Sequence, residues 1–162
     1  MKILGKAMEK KYRPNVAAVI LSPKYPMSCE YFIAQRSDIK GAWQFPQGGI
    51  DKGETPRMAI LRELKEEIGT DNVEIIAMYP DWLSYDFPAP AQGKMAQYAG
   101  QKQKYFLVKL KDIKDININT EIPEFNEFCF VKGNEVFKYV RSFKKEIYHK
   151  VFNYFKKEGY IC

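Results

Sequence analysis

The segment from Gly48 to Gly69 reads GGIDKGETPRMAILRELKEEIG, and this stretch decides the fold. Its second half predicts an α-helix that begins after Thr55-Pro56, because threonine is a good N-cap residue and proline suits the first helical position. An apolar stripe of helical period follows, formed by Met58, Leu61, Leu64 and Ile68. Gly69 stands where a left-handed residue ends a helix. The three glycines within 47–53 predict a loop with unusual backbone angles.

Three acidic side chains lie close together on the last turns of this predicted helix. Glu66 and Glu67 follow Glu63 by three and four positions, which brings the three carboxylates to one edge. Like charges at this spacing destabilise a helix, and so does negative charge near its C-terminus. A hard cation would relieve both effects, and Mg²⁺ or Mn²⁺ prefers oxygen ligands. The alternative is a solvated helix end whose charge is softened by Arg62 and Lys65.

The acids belong to a longer pattern, G-x5-E-x7-R-E-L-x-E-E-x-G, which runs from Gly48 to Gly69. In this pattern the chain resembles the Nudix hydrolases, which cleave a pyrophosphate bond in a nucleoside diphosphate linked to another group. The one departure is Thr70, where the family more often has an aliphatic residue. We expect this difference to affect packing rather than chemistry.

The resemblance implies a divalent metal site, with Mg²⁺ as the cofactor and Mn²⁺ or another divalent cation able to replace it. The implied metal ligands on the helix are Glu63, Glu66 and Glu67, any of which could double as the base. Arg62 would orient a glutamate through a charge-assisted hydrogen bond. Gly48 would let the loop backbone approach the metal or the phosphates.

Other positions of the motif and one remote acid have further implied roles. Glu54 is expected to act behind the metal ligands, and Gly69 to be structural. Glu124, within Pro-Glu-Phe, would join the metal site from a distant loop and position the water. The alternative for Glu124 is a solvated loop acid.

Apolar runs on both sides of the central helix predict β-strands. We expect strands at 15–21, 30–36, 43–45, 73–78, 82–85, 105–110 and 125–131. A second amphipathic helix is expected after Ser142, because Phe143, Ile147 and Val151 recur every four residues. This order predicts an α/β (α+β) domain with a mixed sheet, and the resemblance implies an α/β/α sandwich. We expect one domain over residues 12–162, preceded by an N-terminal extension at 1–11.

Similarity beyond the motif narrows the resemblance to one branch of the family. The similar stretches are Tyr12–Val16, Trp43–Ile50, Gly100–Phe106, Pro123–Phe125 and Ser142–Lys144. They resemble bacterial RNA pyrophosphohydrolases, which are also described as dinucleoside polyphosphate hydrolases. The resemblance implies removal of pyrophosphate from 5′-triphosphate RNA, which leaves a 5′-monophosphate and triggers mRNA decay. Dinucleoside polyphosphates are the alternative substrates, and a non-catalytic RNA- or nucleotide-binding module is the third hypothesis.

Cationic and aromatic residues outside the motif are candidate substrate ligands. The cations at strand or helix edges near the expected cleft are Arg13, Arg36, Lys102, Lys104 and Lys144, and they would hold a polyphosphate. The resemblance implies that Arg13 and Lys102 face the phosphates. It also implies that Arg36, Phe143 and Lys144 hold a nucleobase of the RNA.

Several of these candidates have an ordinary structural explanation as well. Phe143 lies on the apolar stripe of its helix, and Lys102 and Lys104 could be exposed strand charges. Tyr85 could donate a hydrogen bond to a phosphate or simply pack in the core. Gln35 stands where relatives often carry a second arginine beside Arg36, so contacts to the substrate are expected to be weaker there.

The composition is that of a globular protein and bounds the remaining possibilities. The chain has 162 residues, of which 46% are hydrophobic and 28% charged, and its net charge of +6 favours an anionic partner. With His149 as the one histidine, a His-rich metal site or a Ser-His-Asp triad is disfavoured. Cys29, Cys129 and Cys162 are expected to be reduced thiols. The N-terminal residues contain no signal-like apolar run, so we expect a cytoplasmic protein. The sequence also contains no apolar stretch long enough to span a membrane, so we expect no membrane partner. DNA is not expected as a partner.

Overall fold

The computed structural model describes residues 10–141 and 143–162. This part of the chain forms eight strands and three α-helices, with α1 between the fourth and fifth strands and the other two helices at the end. The strands are β1 (Tyr12–Leu21), β2 (Glu30–Arg36), β3 (Trp43–Gln44), β4 (Gln47–Gly49), β5 (Val73–Met78), β6 (Leu83–Asp86), β7 (Gly100–Leu110) and β8 (Phe125–Lys132). The helices are α1 (Pro56–Ile68), α2 (Gly133–Tyr139) and α3 (Lys144–Lys157).

The eight strands form one mixed sheet with β1 and β7 at its centre. These two strands run parallel and stay in register from Tyr12 opposite Gly100 to Leu21 opposite Lys109. The other pairings are antiparallel, with β2 and β4 along the far side of β1 and with β5 and β6 along the far side of β7. The mixed sheet that the sequence predicts is confirmed.

Two separate apolar cores fill the two faces of this sheet. On one face, α1 packs through Ile60 and Leu64 against the even-numbered side chains of β1 and β7. On the other face, α2 and α3 pack through Val136 and Val151 against the odd-numbered side chains of the same strands. Side chains alternate between the two faces of a strand, so each central strand supplies both cores. The fold is therefore the expected α/β/α sandwich.

Helix α1 has the boundaries that its sequence predicts. The hydroxyl of Thr55 accepts a hydrogen bond from the Met58 amide, and Gly69 ends the helix with a φ of 80°. A side chain at position 69 would also meet the backbone oxygen of Asn117 at 2.7 Å. The predicted apolar stripe is wrong at Met58, whose side chain is 55% exposed.

The structure contradicts one further expectation about local structure and adds one helix, and one expected helix start lies outside the described residues. Residues 47–49, expected in a loop, form β4, because Gly48 and Gly49 lie opposite Val16 and Asn15 of β1. Helix α2 was not predicted from the sequence. Ser142, the expected start of the last helix, lies outside the described residues, and α3 begins at Lys144.

Two of the three cysteines are joined, contrary to the expectation of reduced thiols. Cys29 and Cys162 form a disulfide with a Cα–Cα distance of 6.2 Å, although 133 positions separate them in the sequence. The fold brings the last residues against the segment before β2, where Tyr25 also donates a hydrogen bond to the carbonyl of Tyr160. Cys129 remains a free thiol.

The structure describes only the last two residues of the expected N-terminal extension at 1–11. Residues 1–9 of the expected extension lie outside the described residues, whereas Lys10 pairs with Asp86 and the carbonyl of Lys11 accepts a hydrogen bond from Ala99. Across residues 10–141 and 143–162, none of the helices combines the length and the apolar character that crossing a bilayer requires.

Candidate active site

The acidic edge of α1 lies directly against β4. The backbone amide of Gln47 donates a hydrogen bond of 3.2 Å to the Glu67 carboxylate. The next residue, Gly48, faces the Glu63 carboxylate so closely that a Cβ atom at position 48 would overlap it. A side chain at position 48 would therefore displace the Glu63 carboxylate from the place in which Arg62 holds it.

Arg62 connects the residues of the motif through hydrogen bonds to four of them, and it lies 3.5 Å from the carboxylate of Asp51 as well. Its Nε and Nη2 atoms donate to both oxygens of Glu54, at 2.7 and 2.8 Å. Its Nη1 donates to Glu63 at 2.8 Å and more weakly to Glu66 at 3.3 Å, and its Nη2 also reaches the carbonyl of Gly49. Arg62 thus orients two of the three helix carboxylates and anchors Glu54 behind them.

The carboxylates of this site have opposite electrostatic environments. The Arg62 guanidinium and the Asp51 backbone amide lower the pKa of Glu54 to about 2. Burial raises the pKa of Glu63 despite the nearby Arg62. Burial also raises the pKa of Glu67 well above its usual range, and the charges of Glu63 and Glu124 add to that effect. Glu67 is therefore a buried carboxylate surrounded by other acids.

The donor set at this edge fits a divalent cation. A buried carboxylate with acidic neighbours and a carboxylate cradled against Gly48 are hard oxygen ligands whose mutual repulsion a cation would cancel. Among the described residues, no three acidic, histidine or cysteine side chains are already arranged around a common point. Glu63 and Glu66 instead pair with the Arg62 guanidinium.

A ring of cations and one remote acid surround the carboxylates. Glu124, which immediately precedes β8, interacts electrostatically with Glu67, Arg36 and Lys144. Arg13 of β1 interacts in the same way with Glu63. Lys144 is buried, and burial together with the charge of Arg36 lowers its pKa to about 8. The fold therefore brings Glu124 and three of the predicted cations to the acidic edge of α1.

A cleft of about 570 Å³ opens beside this cluster, on the face of the sheet that α3 covers. It is lined by Arg36, Trp43, Tyr85, Phe143 and Lys144, among others. The rings of Phe143 and Tyr85 lie 4.7 Å apart, and Phe143 remains 45% exposed. Phe143 is thus a wall of the cleft rather than a core residue, although its place on the helix allowed both.

Arg36 and Tyr85 are held in place by neighbouring polar groups. Arg36 donates two hydrogen bonds, at 2.8 and 2.6 Å, to Asp38, and this pairing lowers the pKa of the Asp38 carboxyl. The hydroxyl of Tyr85 accepts a hydrogen bond of 2.6 Å from Gln101. Both side chains therefore face the cleft in fixed orientations.

Lys102 and Lys104 lie elsewhere, around Trp82. Their ammonium groups are 5.3 and 5.7 Å from the centre of the indole ring, and Lys104 also donates to the carbonyl of Pro80. Alternation along β7 places these two lysines on the face opposite to Gln101 and Gln103. The structure therefore does not join Lys102 or Lys104 to the cleft that contains Phe143.

A set of amide side chains below the cleft, all of them buried except the half-buried Gln47, was missed from the sequence. It comprises Asn15, Gln44, Gln47, Gln101 and Gln103, which bond to one another, to Tyr85, to Tyr105 or to Lys144. The sequence contained a signal for this set, since amides at inward positions of apolar strands are rarely left without partners.

The two residues that depart from the family pattern both have hydrogen-bond partners. Gln35 bonds to Asn126 and to the amide of Gly41, and the buried Thr70 accepts a hydrogen bond from the Asn72 amide.

Comparisons with known proteins agree with this geometry. Residues 11–151 match the model of the NUDIX domain family. An RNA pyrophosphohydrolase of a Nitratiruptor species is 62% identical over 155 residues, which cover 95% of this chain and 100% of that protein. An RNA pyrophosphohydrolase of Helicobacter pylori is 54% identical over 154 residues, which cover 95% of this chain and 99% of that protein.

Solved structures with lower sequence identity share the fold. A C. elegans Ap4A hydrolase in a binary complex superposes with a TM-score of 0.67 at 23% identity, over 90% of this chain and 98% of that one. The E. coli dihydroneopterin triphosphate pyrophosphohydrolase superposes with a TM-score of 0.66 at 18% identity, over 88% and 97% of the two chains. Since the family model spans most of the sequence and the curated relatives are matched almost end to end, the chain belongs to the Nudix family.

Proposed function

We propose that this chain is a metal-dependent hydrolase that removes pyrophosphate from the 5′-triphosphate end of RNA and leaves a 5′-monophosphate. The observation that carries the proposal is the position of the acidic edge of α1 beside a cleft with cationic and aromatic walls. The names of the relatives from Nitratiruptor and H. pylori support the same substrate class. Because transcription produces triphosphate RNA ends, we expect the enzyme to act in the cytoplasm and to promote mRNA decay.

In this proposal the carboxylates bind the metal and the cationic side chains bind the phosphates. Mg²⁺, or Mn²⁺ in its place, would be held by Glu63, Glu66, Glu67 and Glu124 beside Gly48, would neutralise phosphate charge and would lower the pKa of bound water. Arg13, near Glu63, is placed to bind phosphate oxygens as they approach the carboxylates. Glu124 is the acid that we propose to position the attacking water.

The cleft explains why the substrate would be an RNA end. Arg36 and Phe143 both line a space in which a nucleobase can stack on the ring and on the guanidinium plane. Lys144 and Tyr85 line the same space, and Lys144 interacts electrostatically with Glu67. Both side chains can therefore donate hydrogen bonds to phosphate oxygens near the carboxylates. Lys102 and Lys104 lie beside Trp82, so the role of Lys102 at the phosphates rests on the family resemblance and that of Lys104 on its charge.

The proposal is tested by incubating the protein with a short 5′-triphosphate RNA and, in parallel, with diadenosine tetraphosphate. We expect Mg²⁺-dependent pyrophosphate release from the RNA with the higher kcat/KM, and no release when a chelator is present. The reverse ratio would make dinucleoside polyphosphates the main substrates. Salt-dependent RNA binding without hydrolysis of either compound would identify a binding module instead.

Replacing Phe143 with alanine is expected to raise the KM for triphosphate RNA about tenfold, because base–aromatic stacking contributes about 1–3 kcal/mol per base. The kcat is expected to change little, since Phe143 does not touch the carboxylates. Tyr160→Ala is a suitable control, because Tyr160 is also partly exposed but packs against Phe155 at the far end of α3. An unchanged KM in the Phe143→Ala variant would remove Phe143 from the binding site.

A further inference from the structure

Two polar side chains lie at the centre of the sheet with almost no exposure. Asn15 of β1 is 1% exposed, and its partner in register, Gln103 of β7, is 0% exposed. The Nε2 of Gln103 donates 2.9 Å to the Oδ1 of Asn15, and its Oε1 accepts a hydrogen bond of 2.8 Å from the hydroxyl of Tyr105. The donors of Gln103 fix the direction of its amide, because turning it over would bring its oxygen against the oxygens of Asn15 and Gln47.

The second hydrogen bond from Gln103 leads towards the carboxylates of α1. Its Nε2 also donates 3.1 Å to the Oε1 of Gln47, and the same oxygen accepts 3.0 Å from the Nζ of Lys144. The backbone amide of Gln47 in turn donates to Glu67. Gln47 is therefore bound on three sides, and one of those bonds ends on a proposed metal ligand.

The opposite end of this chain of hydrogen bonds reaches the cleft. The Nδ2 of Asn15 donates 2.9 Å to Gln101, whose Nε2 donates 2.6 Å to the hydroxyl of Tyr85. Tyr85 packs against Phe143, the ring that forms a wall of the cleft. One continuous path thus runs from a wall of the cleft, through the centre of the sheet, to the backbone amide that contacts Glu67.

We infer that Gln103 is a positioning residue for catalysis, which acts through Gln47 to hold Glu67 in its working orientation. The inference rests on the proposed function and adds to it a residue that does not touch the substrate. The next inward residues of β7 are Tyr105, whose hydroxyl donates to Gln103, and Leu107, which packs in the apolar core. Besides accepting from Tyr105, the Gln103 amide supplies a donor to Gln47, the residue that contacts Glu67.

The variant that tests this role is Gln103→Met, because methionine has a similar length and no donor. We expect kcat on triphosphate RNA to fall about tenfold with little change in KM, the range that is typical when a partner behind a metal ligand is removed. We also expect the amide proton of Gln47, followed by NMR in the metal-free protein, to shift and to exchange faster. Mn²⁺ binding, followed by its electron paramagnetic resonance signal, should weaken by a similar factor.

Two comparisons separate positioning from a purely structural role. Val136→Ala removes packing in α2, away from the carboxylates, and should lower the melting temperature without changing kcat or the Gln47 amide. In a Gln47→Ala background, Gln103→Met should cause no further loss of kcat, because the two residues act in series. A Gln103→Met variant that loses only thermal stability would overturn the inference.

The same design keeps this inference separate from the proposed function. If the wild-type protein released no pyrophosphate from triphosphate RNA, the proposed function would fail on that result alone. The NMR signal of Gln47 and the Mn²⁺ titration would still report whether Gln103 positions Glu67. An unchanged Gln47 amide in the Gln103→Met variant would refute the positioning role, whatever the substrate.

Discussion

Replacing Glu67 with glutamine is expected to reduce kcat by about a thousandfold, the scale of effect seen when a principal stabiliser of transition-state charge is lost. Glu67 is the most deeply buried of the three acids on α1, and its carboxylate lies among other acids. A glutamine oxygen can still accept the hydrogen bond from Gln47, so the local geometry should survive. Only the charge that would bind the cation disappears.

The Glu67→Gln variant should lose activity without losing stability. Because burial and the charges of Glu63 and Glu124 disfavour an ionised group at this position, the neutral amide should make the metal-free protein at least as stable as the wild type. Steady-state kinetics and urea unfolding measure the two effects. Glu74→Gln, an exposed acid of β5, is the matched control, and full activity in the Glu67→Gln variant would sink the proposed metal site.

Replacing Arg62 with alanine is the second change with a large expected effect, about a hundredfold in kcat/KM. Arg62 is the shared partner of Glu54, Glu63 and Glu66, so its loss leaves three neighbouring carboxylates without their cation. The helix end is then under mutual repulsion, and we expect the urea midpoint of the metal-free protein to fall as well. Lysine at position 62 should rescue little, because one ammonium cannot replace a guanidinium that forms paired bonds to Glu54.

The control for this second experiment lies on the same helix. Arg57→Ala removes an exposed arginine from the first turn of α1 and should leave both kcat/KM and the urea midpoint close to the wild-type values. Mg²⁺ should recover part of the stability of the Arg62→Ala variant, since a cation can take over the neutralising role. If Arg62→Ala and Arg57→Ala behaved alike, Arg62 would be a surface charge without a function at the site.

Local signals were enough to predict α1 and the strong strands. Thr55, Pro56 and Gly69 mark the ends of the helix through their own backbone preferences, which act over a few residues. The strand β4 was missed because its glycines, which have low strand propensity, pair with β1 through contacts that no local pattern displays. The disulfide was missed for the same reason, since only the fold brings Cys29 to Cys162.

The acidic part of the candidate site could be predicted because its members share one helix. The spacing of Glu63, Glu66 and Glu67 alone brings them to one edge, whereas Glu124 required the family resemblance. The environment of the lysines could not be predicted, because whether Lys102 faces Trp82 or the cleft depends on the pairing of β7 with its neighbours. The partners of the inward amides could not be predicted either, because the sequence indicates that such amides need partners but only the fold shows which groups meet.

Strand β1 supplies side chains to the cores on both faces of the sheet, and this limits how the sequence can change in length during evolution. Val16, Ala18 and Ile20 fill one core, while Ala17, Val19 and Leu21 fill the other on the same face as Asn15. Inserting or deleting one residue within β1 would exchange all the side chains on one side of the change between the two faces, so it would disrupt two cores and the path to Gln47 in a single step. Changes of length in this strand are therefore better tolerated in pairs, whereas the largely exposed 88–97 segment can gain or lose single residues.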